Sequence, residues 1–308
     1  MTCHQKQVRE RKSQTPLPDE HHRRAAASSF ENATVVPLTK VEAKSVILDY
    51  EWLGNMGTTQ FCYGLFFGWY LAGVACFGST GGTNVPVSIC GKEYASRVIT
   101  LCRGACVHWA HPHSATYLIN RACDLLATRE NDPRNIFIAY SDADADEVGT
   151  VYQASNWLYV GKGGTPTFYV HPNGRKYDSL VIAKVLRDRT NRPNRKTSTP
   201  AEMACWVAIV RALGCKVGGT KTPYVYKMTR KEAHTQMLAE GFTVQEGTAK
   251  HRYVHFAGDK RTVRALRKAL RLTVLPYPKR EAAQFEANTA GTTSGGEVQL
   301  LGAAPLLS

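Results

Sequence analysis

Residues 61–78 form a run of 18 positions without a charge, and such a run has two fates: it crosses a membrane or is buried in a core. Gly64, Gly68 and Gly73 interrupt it, while Phe, Tyr, Trp and Val enrich it, a composition that weakens a helix and suits strands. Gly68-Trp69 near the middle can reverse the chain. The spacing therefore predicts a hairpin of two buried strands, with no membrane span. Such a hairpin needs partners, and 43% hydrophobic residues over 308 positions supply a core for one large domain or for a domain with an extension.

The flanking elements follow from local signals. Thr39 and Glu42 have capping-box spacing ahead of Val46, Ile47 and Leu48, which predicts a helix to about Tyr50 and a turn over residues 51–54. After the hairpin comes a Gly/Ser/Thr-rich loop over residues 78–90, then a strand over 97–102. Ser114 is expected to cap a helix with the apolar stripe Leu118, Ile119, Ala122, Leu125 and Leu126. Asn131-Asp132-Pro133 breaks the chain before Ile136, Phe137, Ile138 and Ala139, a buried strand ending at Tyr140 with Ser141 and Asp142 at its exit. Gly149 and Thr150 open a helix carrying Tyr152, Gln153 and Asn156, with Asp146 and Glu147 at the end that favours acidic side chains. Trp157, Leu158 and Tyr159 return as a strand.

Beyond Gly161 the pattern continues with a strand over residues 167–170, a basic exposed loop over 184–196 and a helix from Pro200 to Gly214. A helix over 230–240, a strand over 253–256 and a basic helix near 262–272 complete it. The order predicts an α+β fold, a mixed central sheet flanked by helices with a basic helical C-terminal extension. Four segments result: a disordered basic arm over 1–29, a catalytic core over 30–175, a basic α/β extension over 176–280 and a disordered tail over 281–308.

Charge narrows the partners. With 39 Lys plus Arg against 25 Asp plus Glu, the formal charge is +14, which favours a polyanion, most simply nucleic acid. Residues 260–280 hold eight basic residues and no acid, and Arg261, Arg264, Lys268 and Arg271 fall along one helical face opposite Val263, Leu266 and Leu270. Such a helix docks by its apolar side and offers cations to phosphates. Nine scattered cysteines without a Cys-x-x-Cys pair fit reduced thiols in a cytoplasmic protein, and the N-terminus lacks the order of a signal peptide. Cys102, Cys106, His108, His111 and His113 do not have standard zinc spacing. Asp142, Asp144 and Asp146 begin like a calcium loop, but Glu147 occupies the glycine position.

The run from Tyr140 to Gly161, with Ser141-Asp142 followed by Gly149-Thr-Val-Tyr-Gln-Ala-Ser-Asn-Trp157, resembles the core motif of the bacteriophage Mom-type DNA modification proteins, themselves similar to GNAT acyltransferases. The resemblance spans roughly residues 39–161, with an echo at Lys250-His251-Arg252-Tyr253-Val254. It implies a GNAT-like fold and transfer of an acyl-derived group, of carbamoylmethyl or methylcarbamoyl type, to adenine N6 in phage DNA, which shields that DNA from restriction in the host cytoplasm. The catalytic residues it implies are Tyr152, Asp142, Arg103 and Glu51. Acetyl-CoA is the implied donor, with Gly149, Thr150, Gln153 and Asn156 beside it. Tyr152 would be the acid facing the departing thiolate, Asp142 would orient or deprotonate the amine, and Arg103 would hold a phosphate or the transferred group. Glu51 stands where the family has His; a carboxylate can still act as a base or bind a hard divalent metal, but it puts any imidazole-ligated iron in doubt. The usual pyrophosphate loop of GNAT enzymes is absent. An acetyltransferase for a small amine or protein lysine, and a non-catalytic nucleic-acid binder, remain alternative readings.

Overall fold

The computed structural model describes residues 3–82, 84–172, 174, 176–178 and 230–279. Its centre is a seven-stranded sheet in the order β1-β2-β3-β4-β5-β10-β6, built from β1 (Ala33–Leu38), β2 (Thr59–Phe67), β3 (Tyr70–Gly78), β4 (Val98–Cys106), β5 (Ile136–Ser141), β6 (Leu158–Lys162) and β10 (His251–Phe256). This is the mixed sheet flanked by helices that the element order predicts.

The uncharged run is the hairpin β2–β3, turning at Gly68, whose φ of 59° favours glycine. Among the described residues no helix is long and apolar enough to cross a membrane. The capping box also forms: Thr39 accepts from the backbone of Glu42, and the Glu42 carboxylate accepts from the backbone N–H of Thr39 at 2.7 Å. It starts the helix α3 (Lys40–Tyr50). The end of the expected loop over 78–90 is instead a short helix, α4 (Val85–Cys90), which buries Ile89 and Cys90. In the helix α5 (Ser114–Ala127) His113, not Ser114, precedes the first turn, and the Ser114 hydroxyl has no hydrogen-bond partner among the described residues. Leu118, Ile119, Ala122 and Leu126 are buried as the stripe requires.

Every strand pair in the central sheet is antiparallel except β4 with β5. Residue alternation sends Phe137 and Ala139 into the larger core with Tyr253 and Trp157, and Ile136 and Ile138 into a second cluster with Val254, Phe256 and Leu266. The second cluster is covered by the basic helix, which runs over Lys260–Ala269, two residues earlier than predicted at its start and three at its end. A three-stranded sheet of β8 (Lys176–Asp178), β7 (Thr167–Val170) and β9 (Thr243–Glu246) lies apart in the hydrogen-bonding pattern, with a helix over Arg230–Ala239 preceding β9.

Two further segments differ from expectation. The strand β10, counted with the extension, is inserted between β5 and β6, so the chain beyond residue 176 completes the central sheet. The arm over 1–29 is not a disordered stretch over its described residues: it forms α1 (His4–Ser13) and α2 (Glu20–Ala26). Its charges find distant partners, which composition does not reveal. Glu20 meets the Nε2 of buried His108 at 3.1 Å, whose Nδ1 lies 3.0 Å from the Tyr50 hydroxyl. Arg23 lies over the Tyr70 ring at 4.9 Å, and Gln5 bridges the backbone of Tyr50 and Trp52. The predicted basic loop over 184–196, the helix over 200–214 and the tail over 281–308 lie outside the described residues.

Candidate active site

The parallel pairing of β4 with β5 covers only Val98–Leu101 against Ile136–Ala139. Beyond it the strands part: Arg103 to Cys106 pair with β3 on one side, while Tyr140 and Ser141 pair with β10 on the other. The cleft of about 530 Å³ that opens there is of a size suited to a cofactor-like ligand. A register shift leaves Cys102 without a partner between the Cys76–Arg103 and Phe77–Leu101 pairs, a bulge in the strand that lines the cleft.

All four predicted catalytic residues line this cleft. Tyr152, on the short helix α6 (Thr150–Ala154), packs its ring between Trp157 and Tyr253, with centroids 5.3 Å from each. Its hydroxyl has no hydrogen-bond partner among the described residues. Burial, then the charges of Glu147 and Glu51, push its pKa well up, so it stays a neutral donor. Asp142 holds Lys250 at 2.7 Å and accepts the backbone N–H of Asp144 at 3.1 Å. Glu51, buried at the end of α3, accepts from the backbone N–H groups of Leu53 and Gly54 at 2.9 and 3.1 Å. Burial raises its pKa, against the pull of Arg103, which lies 3.8 Å away.

Arg103, which the resemblance offers as a holder of a phosphate or of the transferred group, lines the cleft and is also tied to the turn that follows Glu51. Its guanidinium donates to the backbone and side-chain oxygens of Asn55, at 2.8 and 2.6 Å, and to the Cys102 carbonyl, so its donors hold the turn carrying Glu51.

Of the predicted cofactor residues, Gly149 and Thr150 line the cleft and Gln153 and Asn156 do not. Gly149 has φ of 71°, and a Cβ there would lie 2.5 Å from the Tyr253 ring. Gln153 donates to the carbonyls of Val148 and Pro278 at 2.7 and 3.2 Å, tying the segment that follows the basic helix to the start of α6. Asn156 is exposed just past that helix, with φ of 57°.

Sequence reasoning misses four groups. Glu147 reads only as a helix-end acid, yet it lines the cleft, and burial followed by the charges of Asp142 and Glu51 raises its pKa to about 7. Lys250, visible in the sequence only as part of the echo, is the counter-ion of Asp142. The buried hydroxyls of Thr100 and Ser141 line the cleft where the strands part, and neither has a hydrogen bond among the described residues. These two are open to a small polar group of a ligand.

The donor set does not suit a metal. Glu51 already accepts two backbone N–H groups beside a guanidinium, and Asp142 is neutralised by Lys250. Among the described residues no group of three or more His, Cys, Asp or Glu could hold an ion.

Of the four predicted DNA-contact residues, Arg261, Arg264 and Lys268 are on the basic helix, whose Leu266 is buried and whose Val263 packs against the same cluster; all three are exposed. Arg271 lies beyond the helix end. Its backbone N–H donates to the Ile89 carbonyl at 2.8 Å, and its guanidinium sits against Gly91, so it leaves the stripe. The helix stops at Ala269 because Leu270 is extended, with ψ of 123°.

The model of the Mom protein family matches residues 32–279 of the chain. No curated protein matches it. Among solved structures, it is similar to an acetyltransferase of Bacillus subtilis in complex with CoA, at 12% identity over 46% of this chain and 80% of that one, with a TM-score of 0.27. That score is too low to bear on function.

Proposed function

The chain belongs to the Mom protein family, and on that premise we propose that it is an enzyme that modifies DNA by transferring an acyl-derived group, of carbamoylmethyl or methylcarbamoyl type, to adenine N6. The observation that carries this reading is the parting of β4 and β5, with Tyr152, Asp142 and Glu51 on one cleft. Past Leu101 the cleft-side edge of β4 pairs with no described strand, so its backbone can hydrogen-bond an extended, amide-bearing arm. The pantetheine of acetyl-CoA is such an arm. Its thioester would then lie beside α6, with Gly149 and Thr150 at that helix's start.

Tyr152 then donates its proton toward the departing sulfur, since a phenol whose pKa is raised stays protonated at working pH. Asp142, fixed by Lys250, orients the incoming amine, and Arg103 holds the turn that presents Glu51. The adenine must leave the duplex stack to reach the cleft, because its amino group is paired there. Arg261, Arg264 and Lys268 supply phosphate contacts that do not depend on sequence. Nucleoside mass spectrometry of DNA from cells expressing the full chain tests the reading: an adenine carrying the added mass supports it. Acetyl-CoA turnover on free amines without any modified DNA would instead favour a small-amine acetyltransferase.

A further inference from the structure

Three carboxyl groups line the cleft, and two are already committed. Asp142 pairs with Lys250 at 2.7 Å, and Glu51 is held by two backbone N–H groups beside Arg103. Among the described residues the Glu147 carboxyl has no ion pair and no hydrogen bond to another side chain; its contact is to the Asp142 backbone. Its position is nonetheless fixed. The next carbonyl, Val148, accepts both the Tyr253 hydroxyl, at 2.5 Å, and the Gln153 amide, at 2.7 Å. The Glu147 backbone N–H donates to the Asp142 carbonyl at 3.1 Å. The residue thus stands between the strand exit that holds Asp142 and the helix that carries Tyr152.

Resting on the amine-transfer reading above, we propose that Glu147 is the general base of the reaction and accepts the proton released from the attacking nitrogen, while Asp142 only positions that nitrogen. For a thioester donor the acyl step balances and gives an N6-acyl adenine; an acetyl group carries no nitrogen, so a carbamoylmethyl or methylcarbamoyl product takes its amide nitrogen from a nitrogen donor in a further step. The N–C bond forms and the C–S bond breaks, the nitrogen's proton passes to the Glu147 carboxylate, and the sulfur leaves as a thiol with the Tyr152 proton. Solvent restores Tyr152 as Glu147 releases its own proton.

The groups facing Glu147 come from four elements: Asp142 at the end of β5, Glu51 after α3, Lys250 before β10 and Tyr152 on α6. Burial and the two carboxylates outweigh Lys250 and hold the acid near pH 7, where a base must both be free and retain affinity for a proton.

The test uses the full chain. In cells expressing Glu147→Gln, modified adenine measured by nucleoside mass spectrometry should fall by ~10²-fold or more, with Glu147→Asp recovering part of the loss. In the purified wild type, ¹³C-carboxyl NMR should show a glutamate titrating near pH 7 that vanishes in Glu147→Gln. Wild-type modification in a folded Glu147→Gln protein, or a Glu147 midpoint below about 5, overturns the proposal. Failure of the DNA reading is distinct: the wild type itself would then leave adenine unmodified, and the carboxyl titration would still decide whether Glu147 is poised as a base.

Discussion

Replacing Gly149 by alanine should be among the most damaging single-methyl additions in the chain, and the structure lets its cost be divided. Two penalties act there. With φ of 71°, an L-residue must adopt a left-handed conformation, costing about 1–2 kcal/mol. The new Cβ would also sit 2.5 Å from the fully buried Tyr253 ring, so ring or helix must shift, adding roughly 1–3 kcal/mol of overpacking. A total of about 2–5 kcal/mol follows. Gly68→Ala at the hairpin tip is the control, since its φ is 59° and no described atom lies within 4 Å of the added carbon. It should cost only the backbone part. Denaturant unfolding of both variants measures the difference, and DNA modification should fall further in Gly149→Ala because the displaced Tyr253 supports Tyr152. Equal destabilisation within about 0.5 kcal/mol would refute the claim that Tyr253 packs against the start of this helix.

Tyr152→Phe should keep the fold, since its ring packing remains, yet lower modified adenine by ~10²-fold or more; unchanged levels would remove Tyr152 from the chemistry. Neutralising Arg261, Arg264 and Lys268 together should flatten the slope of log affinity for duplex DNA against log salt by about 0.9 for each phosphate no longer neutralised, whereas adding Arg271→Gln should change it little. An unchanged slope in the triple variant would place the DNA surface elsewhere. Glu20 is held down to about 2, first by its hydrogen bond to His108, so its contribution to docking α2 is complete above the unfolded carboxyl range and is lost as pH falls from about 4.5 toward 2. Hydrogen exchange should show residues 4–26 losing protection across that window before the sheet does, and Glu20→Gln should weaken the same segment at neutral pH; wild-type protection there would contradict the role given to the Glu20–His108 contact.

Much of the fold is legible in the sequence because its signals are local. A capping box needs only Thr39 and Glu42, and the hairpin needs only an uncharged run with Gly68 at its centre. Tyr152, Asp142 and Glu51 come from the family resemblance, and the structure brings them to one cleft. What escapes depends on distant pairing. Lys250 reaches Asp142 only because β10 enters the sheet beside β5, and no spacing along the chain reveals that. Glu147 reads as an ordinary acidic residue at a helix end until the turn at Val148 is seen to hold it in the cleft. The resemblance offers Arg103 as a holder of a phosphate or of the transferred group, and only the fold reveals that its guanidinium also ties down Asn55. The N-terminal helices escape for a related reason: a charged segment looks solvated until His108 and Tyr70 supply its partners.

The most direct measurement is nucleoside mass spectrometry of DNA from cells expressing the wild-type chain and, in parallel, the Tyr152→Phe and Glu147→Gln variants. The account predicts a mass-shifted adenine in the wild type, reduced by ~10²-fold or more in both variants while each remains folded. Unmodified adenine in cells producing folded wild-type protein would contradict the proposed function, and full modification by both variants would contradict the chemistry assigned to the cleft.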